Sequence, residues 1–428
     1  MRYFLIDDLR AEETKRLCEH LDAMDLGAGL DGIYWLPIPA HMLSAVQKEH
    51  ESQCGPYVMA LECEETSLRL ELLVRARGRI RCECVAYASP ELQRCLDVER
   101  FCRHSLKMAD GDTWLLAVSG GADSTALLCI MALLAPQHDW QLHVATVDHQ
   151  LRPESAEDAA FVAGLCRGWR IPCRILTADV PRLARQEGLG TEEAARRARY
   201  ALLKQARQAC GATAILLGHH RSDVTEDQML RFLRGTGWPA LGGMRAEDAE
   251  RHLLRPLLRT DKHALKELLH CCGILWREDA SNADTRYTRN RLRHTLLPLL
   301  RQENPRLEDS CLNLWELAGI DGEYWQQELE HHLARTPWQE APGSITLPRA
   351  LLRGTHAALR LRLYHRAVAR LARLSGRQAR SATPLGPDQA WHGGRGGTTF
   401  QLPGSIMAHL KGGSIRFYVE KRQAVRKS

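Results

Sequence analysis

No apolar run among the 428 residues approaches the ~20 that a membrane-spanning helix needs. The best, Ala126 to Ala135, is half that length and stops at Pro136. The amino-terminal string Met1-Arg2-Tyr3-Phe4-Leu5-Ile6-Asp7-Asp8 turns acidic before a signal-peptide core can form. Cys-x-x-Cys is absent, which removes the usual ligand pairs of zinc and cluster sites although the chain holds fourteen cysteines. Thiols scattered in this way are expected to be reduced, as in a cytosol. With 44% apolar and 26% charged residues the composition is that of folded domains, two to four of them at about 150 residues each. The expectation is a soluble, cytoplasmic, multidomain protein with no membrane partner.

Acidic residues are nearly missing from the carboxyl end. Residues 349–428 hold 16 Lys/Arg against 2 Asp/Glu, whereas residues 1–100 hold 12 against 18. The overall net charge of +6 therefore conceals a strongly basic block. Such blocks usually face phosphate, and nucleic acid is favoured over a merely solvated helix face with a loose tail.

The first hundred residues predict a small α+β module. Ala11 to Met24 has helical spacing, and Leu68, Leu70, Leu72 and Val74 alternate with charged residues. Ile80, Cys82, Cys84 and Ala86 alternate again after a hairpin at Arg77-Gly78-Arg79. Two cysteines on one strand face are expected to pack as small apolar groups rather than bind metal. From Thr113 the texture becomes α/β, with apolar strands at 114–118, 142–147, 174–176 and 214–217 separated by helices at 122–134, 156–169 and 192–209. This alternation predicts a mostly parallel sheet, whose strand carboxyl ends are where ligands bind. Residues 260–335 read as helical, with Leu312, Leu314 and Leu317 at helix-like spacing. Leu351 to Leu374 reads as an arginine-bearing helix, Ser375 to Gly397 as a loop, and Thr398 to Tyr418 as a short β element.

The chemistry concentrates at Ser119-Gly120-Gly121-Ala122-Asp123-Ser124, between a buried strand and a helix. Two glycines let backbone approach a polyphosphate, and the helix amino terminus supplies unpaired N–H groups. Asp123 would repel phosphate unless a cation intervened, which points to Mg²⁺. Asp148 and His149 fall at the next strand end. His219, Asp223 and Glu226 are spaced to share one helix face, where carboxylates suit Mg²⁺ or the ammonium groups of a lysine. Arg196 and Arg199, three apart on a helix, suit a phosphate or carboxylate. The arginines of residues 286–293 suit an RNA backbone.

The six-residue string resembles the pyrophosphate loop of the N-type ATP pyrophosphatases. Further blocks resemble one branch, the tRNA(Ile)-lysidine synthase family: Val147-Asp148-His149-Gln150-Leu151-Arg152, Glu193 to Tyr200, His219 to Glu226, Leu233-Arg234-Gly235-Thr236-Gly237, Arg255-Pro256-Leu257-Leu258, Trp276 to Asn282 and Tyr287 to Arg293. They run in the family order over about residues 110–300, with a weaker echo at Leu402-Pro403-Gly404, and residues 1–100 lie outside. The family commonly has Asp-Asp where this chain has Ser222-Asp223, and often Gln where it has Val224. Ser222 offers a hydroxyl but no charge.

The resemblance implies an adenine-nucleotide α-hydrolase-like catalytic domain at residues 110–300. Around it would lie an α+β module at 1–105, a helical tRNA-binding domain at 301–375 and a small basic element at 376–428. It implies a ligase that uses ATP and Mg²⁺ to adenylate the 2-carbonyl of the wobble cytidine in a CAU anticodon, followed by attack of L-lysine. ATP would lie on Ser119, Gly120, Gly121, Ala122, Asp123, Ser124, Asp148 and His149. Asp123, His219, Asp223 and Glu226 would be catalytic, with Glu226 or Asp223 a candidate base and Asp123 and Asp223 the metal ligands. Arg196, Asp223 and Glu226 would hold lysine, and Arg289, Asn290, Arg293, Arg360 and Arg366 would hold tRNA(Ile); a homodimer is left open. The rivals are a tRNA thiolation enzyme, disfavoured by the missing Cys-x-x-Cys, small-molecule amidating synthetases, and a catalytically silent RNA-binding protein.

Overall fold

Trp114, Leu115 and Leu116 are each at most 2% exposed, because the strand they build is covered on both faces. The computed structural model describes residues 3–6, 9–77, 82–87, 90–150, 155–278, 288–375 and 385–420. The chain forms two compact units: residues 1–220 with 246–279, and residues 221–245 with 280–428.

The first unit opens with β1 (Tyr3–Ile6), α1 (Ala11–Ala23), β2 (Ile33–Pro37), α2 (Ala45–Glu49) and α3 (Glu51–Cys54). It continues with β3 (Tyr57–Cys63), β4 (Leu68–Glu71), β5 (Leu73–Ala76) and β6 (Ala86–Tyr87). β2, β4 and β5 all pair antiparallel with β3. The alternating run at 68–74 is not one strand. Leu61 faces Leu70 while Val58 faces Arg75, so four residues around Leu72 lie opposite two of β3, a bulge that bends the edge. Cys82 and Cys84 also depart from expectation, standing in a turn before β6 instead of on a strand. Gly78 and Arg79 of the expected hairpin lie outside the described residues.

After α4 (Pro90–Arg100) come β7 (Thr113–Ala117), α5 (Ala122–Leu134), β8 (Gln141–Asp148), α6 (Ser155–Gly168) and β9 (Cys173–Thr177). α7 (Val180–Glu187), α8 (Thr191–Ala209) and β10 (Ala214–Leu217) follow; α9 (Arg221–Leu233) belongs to the second unit. The chain then returns with β11 (Glu247–Asp248), β12 (Leu253–Leu254) and α10 (Lys262–Cys271). The sheet order is β11-β12-β10-β7-β8-β9, parallel throughout except for β11. Successive strands move outward from β7 through β8 to β9, then the chain crosses to β10 on the other side. β7 thus stands at the switch point of a doubly wound sheet, where a crevice opens at the strand carboxyl ends. α5, buried along nearly its whole length, packs beneath it.

The second unit holds α9, α11 (Thr288–Arg291), α12 (Leu297–Glu303) and the 29-residue α13 (Leu307–Arg335). The Gln228 side chain, 3% exposed, ties α9 down by donating to the carbonyls of Gly242 (2.9 Å) and Cys311 (2.8 Å). Cys311, Ala318, Gly322 and Leu329 are the buried positions of α13, whereas Leu314 and Leu317 are exposed. The chain ends in β13 (Gln339–Ala341), β14 (Ser344–Leu347), α14 (Arg349–Leu352), α15 (Ala357–Leu374), α16 (Leu385–His392), β15 (Thr399–Leu402), β16 (Ile406–Lys411) and β17 (Ser414–Val419). β14 pairs with β17, so one sheet and one core, including Ile345, Leu363, Ile406 and Phe417, draw on residues either side of 375. The helix expected over 351–374 is broken into α14 and α15, and α16 lies inside the expected loop.

Arg360 departs furthest from expectation. Its guanidinium is buried, donates to Asp388 at 2.7 and 2.9 Å and to the Thr355 carbonyl at 2.6 Å, and Tyr364 donates to the same carboxylate. It braces α15 against α16 and is turned away from any phosphate. Asp388→Ala should therefore cost about 3–5 kcal/mol by stranding a buried cation; urea unfolding of the full chain measures it.

Candidate active site

Register brings the ends of β7 and β10 level, Ala117 facing Leu217, while β8, whose Ala145 faces Ala117 on the other side, runs on to Asp148. Residues 119–124 leave β7 and open α5 with Gly121 as its N-cap, and Gly120 adopts φ +85°, a conformation that favours glycine. The Ser119 backbone N–H donates to Ser124 Oγ (3.1 Å), Ser124 Oγ donates to the Gly121 carbonyl (3.1 Å), and the two hydroxyls lie 3.2 Å apart. The loop is thus preformed, with the helix amino terminus beneath it. From outside, the backbone N–H of Arg277 donates to the Gly120 carbonyl at 2.8 Å. This accounts for the block beginning at Trp276, whose residues from Asp279 on lie outside the described set.

Asp123 does not stand alone. His220 Nε2 is 3.4 Å and Lys262 Nζ 4.0 Å from its Oδ2. His219, expected on the helix face, precedes α9 in the loop after β10; its neighbour, 1% exposed, is the histidine that meets Asp123. Gly218 packs against the backbone of the same turn. A Cβ there would stand 2.9 Å from the Asp123 carbonyl oxygen and 3.1 Å from Ser124 Cα.

At the end of β8, Asp148 Oδ1 accepts from the Gln150 N–H (2.9 Å) and from Ser155 Oγ (2.6 Å), holding the entry to α6. His149 beside it is half-buried. Burial, reinforced by the charge of Arg199, pushes its imidazole below the usual range, so at neutral pH the ring is neutral. Arg196 is exposed on α8, its guanidinium 5.6 Å from the Tyr200 ring centroid.

In the second unit Asp223 and Glu226 occupy one face of α9, 7% and 2% exposed. Carboxylates so buried need counterions. Arg289 supplies one, donating to Asp223 Oδ1 (2.8 Å) and Glu226 Oε2 (2.9 Å). Arg293 supplies the other, donating to both Glu226 oxygens at 2.6 and 2.9 Å. Two charges of each sign therefore close on themselves. The arginines expected to grip RNA anchor the acids, and Glu226, with both oxygens engaged, is not disposed to act as a base. Asn290, between them, is half-buried, and Arg366 on α15 is 38% exposed at its side chain, 3.5 Å from Glu330.

His220, Lys262, Gly218 and Arg277 escaped the sequence reading as site residues. The His-His doublet carried a usable signal, but Lys262 reaches Asp123 only because α10 packs on α5, and nothing local marks it.

A strand–glycine loop–helix at the switch point of a parallel sheet defines a nucleotide-binding α/β protein of the pyrophosphatase-loop type, and residues 95–300 match the PP-loop domain model. A tRNA(Ile)-lysidine synthase of Nitratidesulfovibrio vulgaris is 44% identical over 318 residues, 71% of this chain and 91% of that protein. One from a Thermotoga species is 36% identical over 228 residues, 53% of this chain and 55% of the relative. Among solved structures, a U34-tRNA thiolase from Methanococcus maripaludis carrying a [4Fe-4S] cluster aligns at TM-score 0.46 and 12% identity, covering 54% of this chain and 81% of its own. The chain belongs to the tRNA(Ile)-lysidine synthase family, ATP-using ligases built on the PP-loop domain.

Gly218→Ala should push the end of β10 off the loop. Since ~1 Å of misplacement can cost about 10²-fold, pyrophosphate release from ATP should fall at least about tenfold while the protein stays folded. Steady-state assay beside circular dichroism distinguishes the two effects.

Proposed function

We propose that the chain makes lysidine. ATP adenylates the 2-carbonyl oxygen of the wobble cytidine in the CAU anticodon of tRNA(Ile), releasing pyrophosphate. The side-chain amine of L-lysine then attacks that carbon and AMP departs. The observation that carries this reading is the preformed loop of residues 119–124 with Asp123 at the start of α5 and His220 and Lys262 beside it. Such a cradle grips a polyphosphate through backbone N–H groups and neutralises charge as the α–β bond breaks.

Asp123 fits a role as Mg²⁺ ligand, because a carboxylate beside a phosphate cradle is unfavourable without a cation. Bound there, Mg²⁺ would supply charge neutralisation on the phosphates. Asp223 does not fit that role, since Arg289 already occupies its Oδ1 at 2.8 Å. Lys262 is assigned to the departing pyrophosphate and neutral His149 to the nucleoside side of ATP. Arg196 is assigned to the carboxylate of lysine. Asp223 and Glu226 contribute by fixing Arg289 and Arg293, and through them the start of the helical segment that follows.

The test is mass spectrometry of tRNA(Ile) incubated with ATP and isotope-labelled lysine. A mass gain of lysine less one water, carrying the label, is expected; a sulfur gain, or no gain, overturns the proposal. Asp123→Ala should lower pyrophosphate release by about 10²–10³-fold, the usual effect of removing one group that stabilises transition-state charge.

The tRNA contact is assigned to Arg366, Arg370 and Arg373, which fall four and three apart on one face of α15. Replacing all three with Gln should weaken tRNA binding and reduce the slope of log K against log salt by about 0.7–0.9 for each phosphate no longer neutralised. Filter binding across a salt series measures this without deleting strands that share a sheet.

A further inference from the structure

The amino-terminal module holds a cluster that the lysidine chemistry does not use. His50 sits at the joint between α2 and α3, and Cys54 ends α3 one helical turn later. Cys82 and Cys84 flank Glu83 in the turn before β6. One ligand atom from each of the four lies within 4.8 Å of all the others, and among the described residues no other group of three or more His, Cys, Asp or Glu converges in this way. His50 Nδ1 is 3.3 Å from Cys82 Sγ, although 32 residues separate them.

We propose that His50, Cys54, Cys82 and Cys84 form a structural Zn²⁺ site. A tetrahedral zinc with Zn–S of about 2.3 Å and Zn–N of about 2.0–2.1 Å spaces its ligand atoms roughly 3.5–3.8 Å apart, so small side-chain adjustments complete the site. Three thiolates and one imidazole are soft donors that select zinc over magnesium or calcium. Cys54 and Cys84 are each 1% exposed, whereas His50 and Cys82 are half-buried, which leaves an entry path. The shell behind the ligands is also built: Gln47, 4% exposed, donates through Nε2 to the Cys84 carbonyl at 3.1 Å. It thereby holds α2 against the turn that carries two ligands.

Packing alone accounts for two buried thiols, but not for an imidazole nitrogen directed at a third. All the cysteines are free thiols. The metal would staple residues 50–54 to residues 82–84, and binding to a site that exists only in the folded chain adds directly to folding free energy.

The full chain, purified reduced from zinc-supplemented medium and desalted, should retain about one zinc by elemental analysis, one four-ligand site holding one ion. Cys82→Ser/Cys84→Ser should lose it. Because that variant can unfold for other reasons, the wild-type chain is also stripped and titrated with Co²⁺, which should give tetrahedral d–d bands and thiolate-to-metal charge transfer. Retention of equal zinc by the double variant, or absence of the cobalt bands, would overturn the proposal.

Discussion

The contact of Gly218 with the backbone of Asp123 and Ser124 is the constraint on which the nucleotide site depends. Parallel pairing sets the ends of β7 and β10 level, but only a residue without Cβ lets β10 close to within van der Waals contact of the first turn of α5. That approach places the His220 ring against the Asp123 carboxylate, and α10, packed on α5, adds Lys262. A carboxylate in a phosphate cradle is electrostatically unfavourable; surrounding it with an imidazole and an ammonium makes the arrangement tolerable before any ligand arrives.

The buried charges of the second unit obey the same rule by closing locally. Asp223 and Glu226 are deeply buried, and Arg289 and Arg293 answer them with charge-assisted hydrogen bonds of 2.6–2.9 Å. Arg360 and Asp388 repeat the solution in the carboxyl-terminal core. Basic residues in this chain therefore divide into two populations. Some are internal counterions, and others, such as Arg366 on α15, pair at the surface with exposed glutamates.

The basic carboxyl end is thus less simple than its net charge suggests. Of the arginines in α15, one is a core residue whose charge is cancelled, one stacks over Trp325 at 3.8 Å, and others pair with exposed glutamates in interactions that salt screens easily. A polyanion can displace the last kind at little cost, but not the first.

Local sequence determined four strands and three helices of the α/β region and the glycine loop, because buried parallel strands are apolar runs and a phosphate loop is a contiguous string; α7 and the two-residue strands β11 and β12 are too short to leave such a pattern. The strands at 113–117 and 214–217 and the helix at 191–209 follow directly from such patterns. Sequence order also sufficed for family membership, since ordered blocks need no coordinates. Tertiary structure decided what each polar side chain does. Which histidine of the 219–220 pair meets Asp123, which arginines neutralise which acids, and that Arg360 is a core residue all depend on partners up to 139 positions away, for which no periodicity exists. The same holds for Cys82 and Cys84: read as a strand they are two small core side chains, whereas the turn they occupy brings them to His50 and Cys54, because side-chain convergence is a property of the folded chain alone.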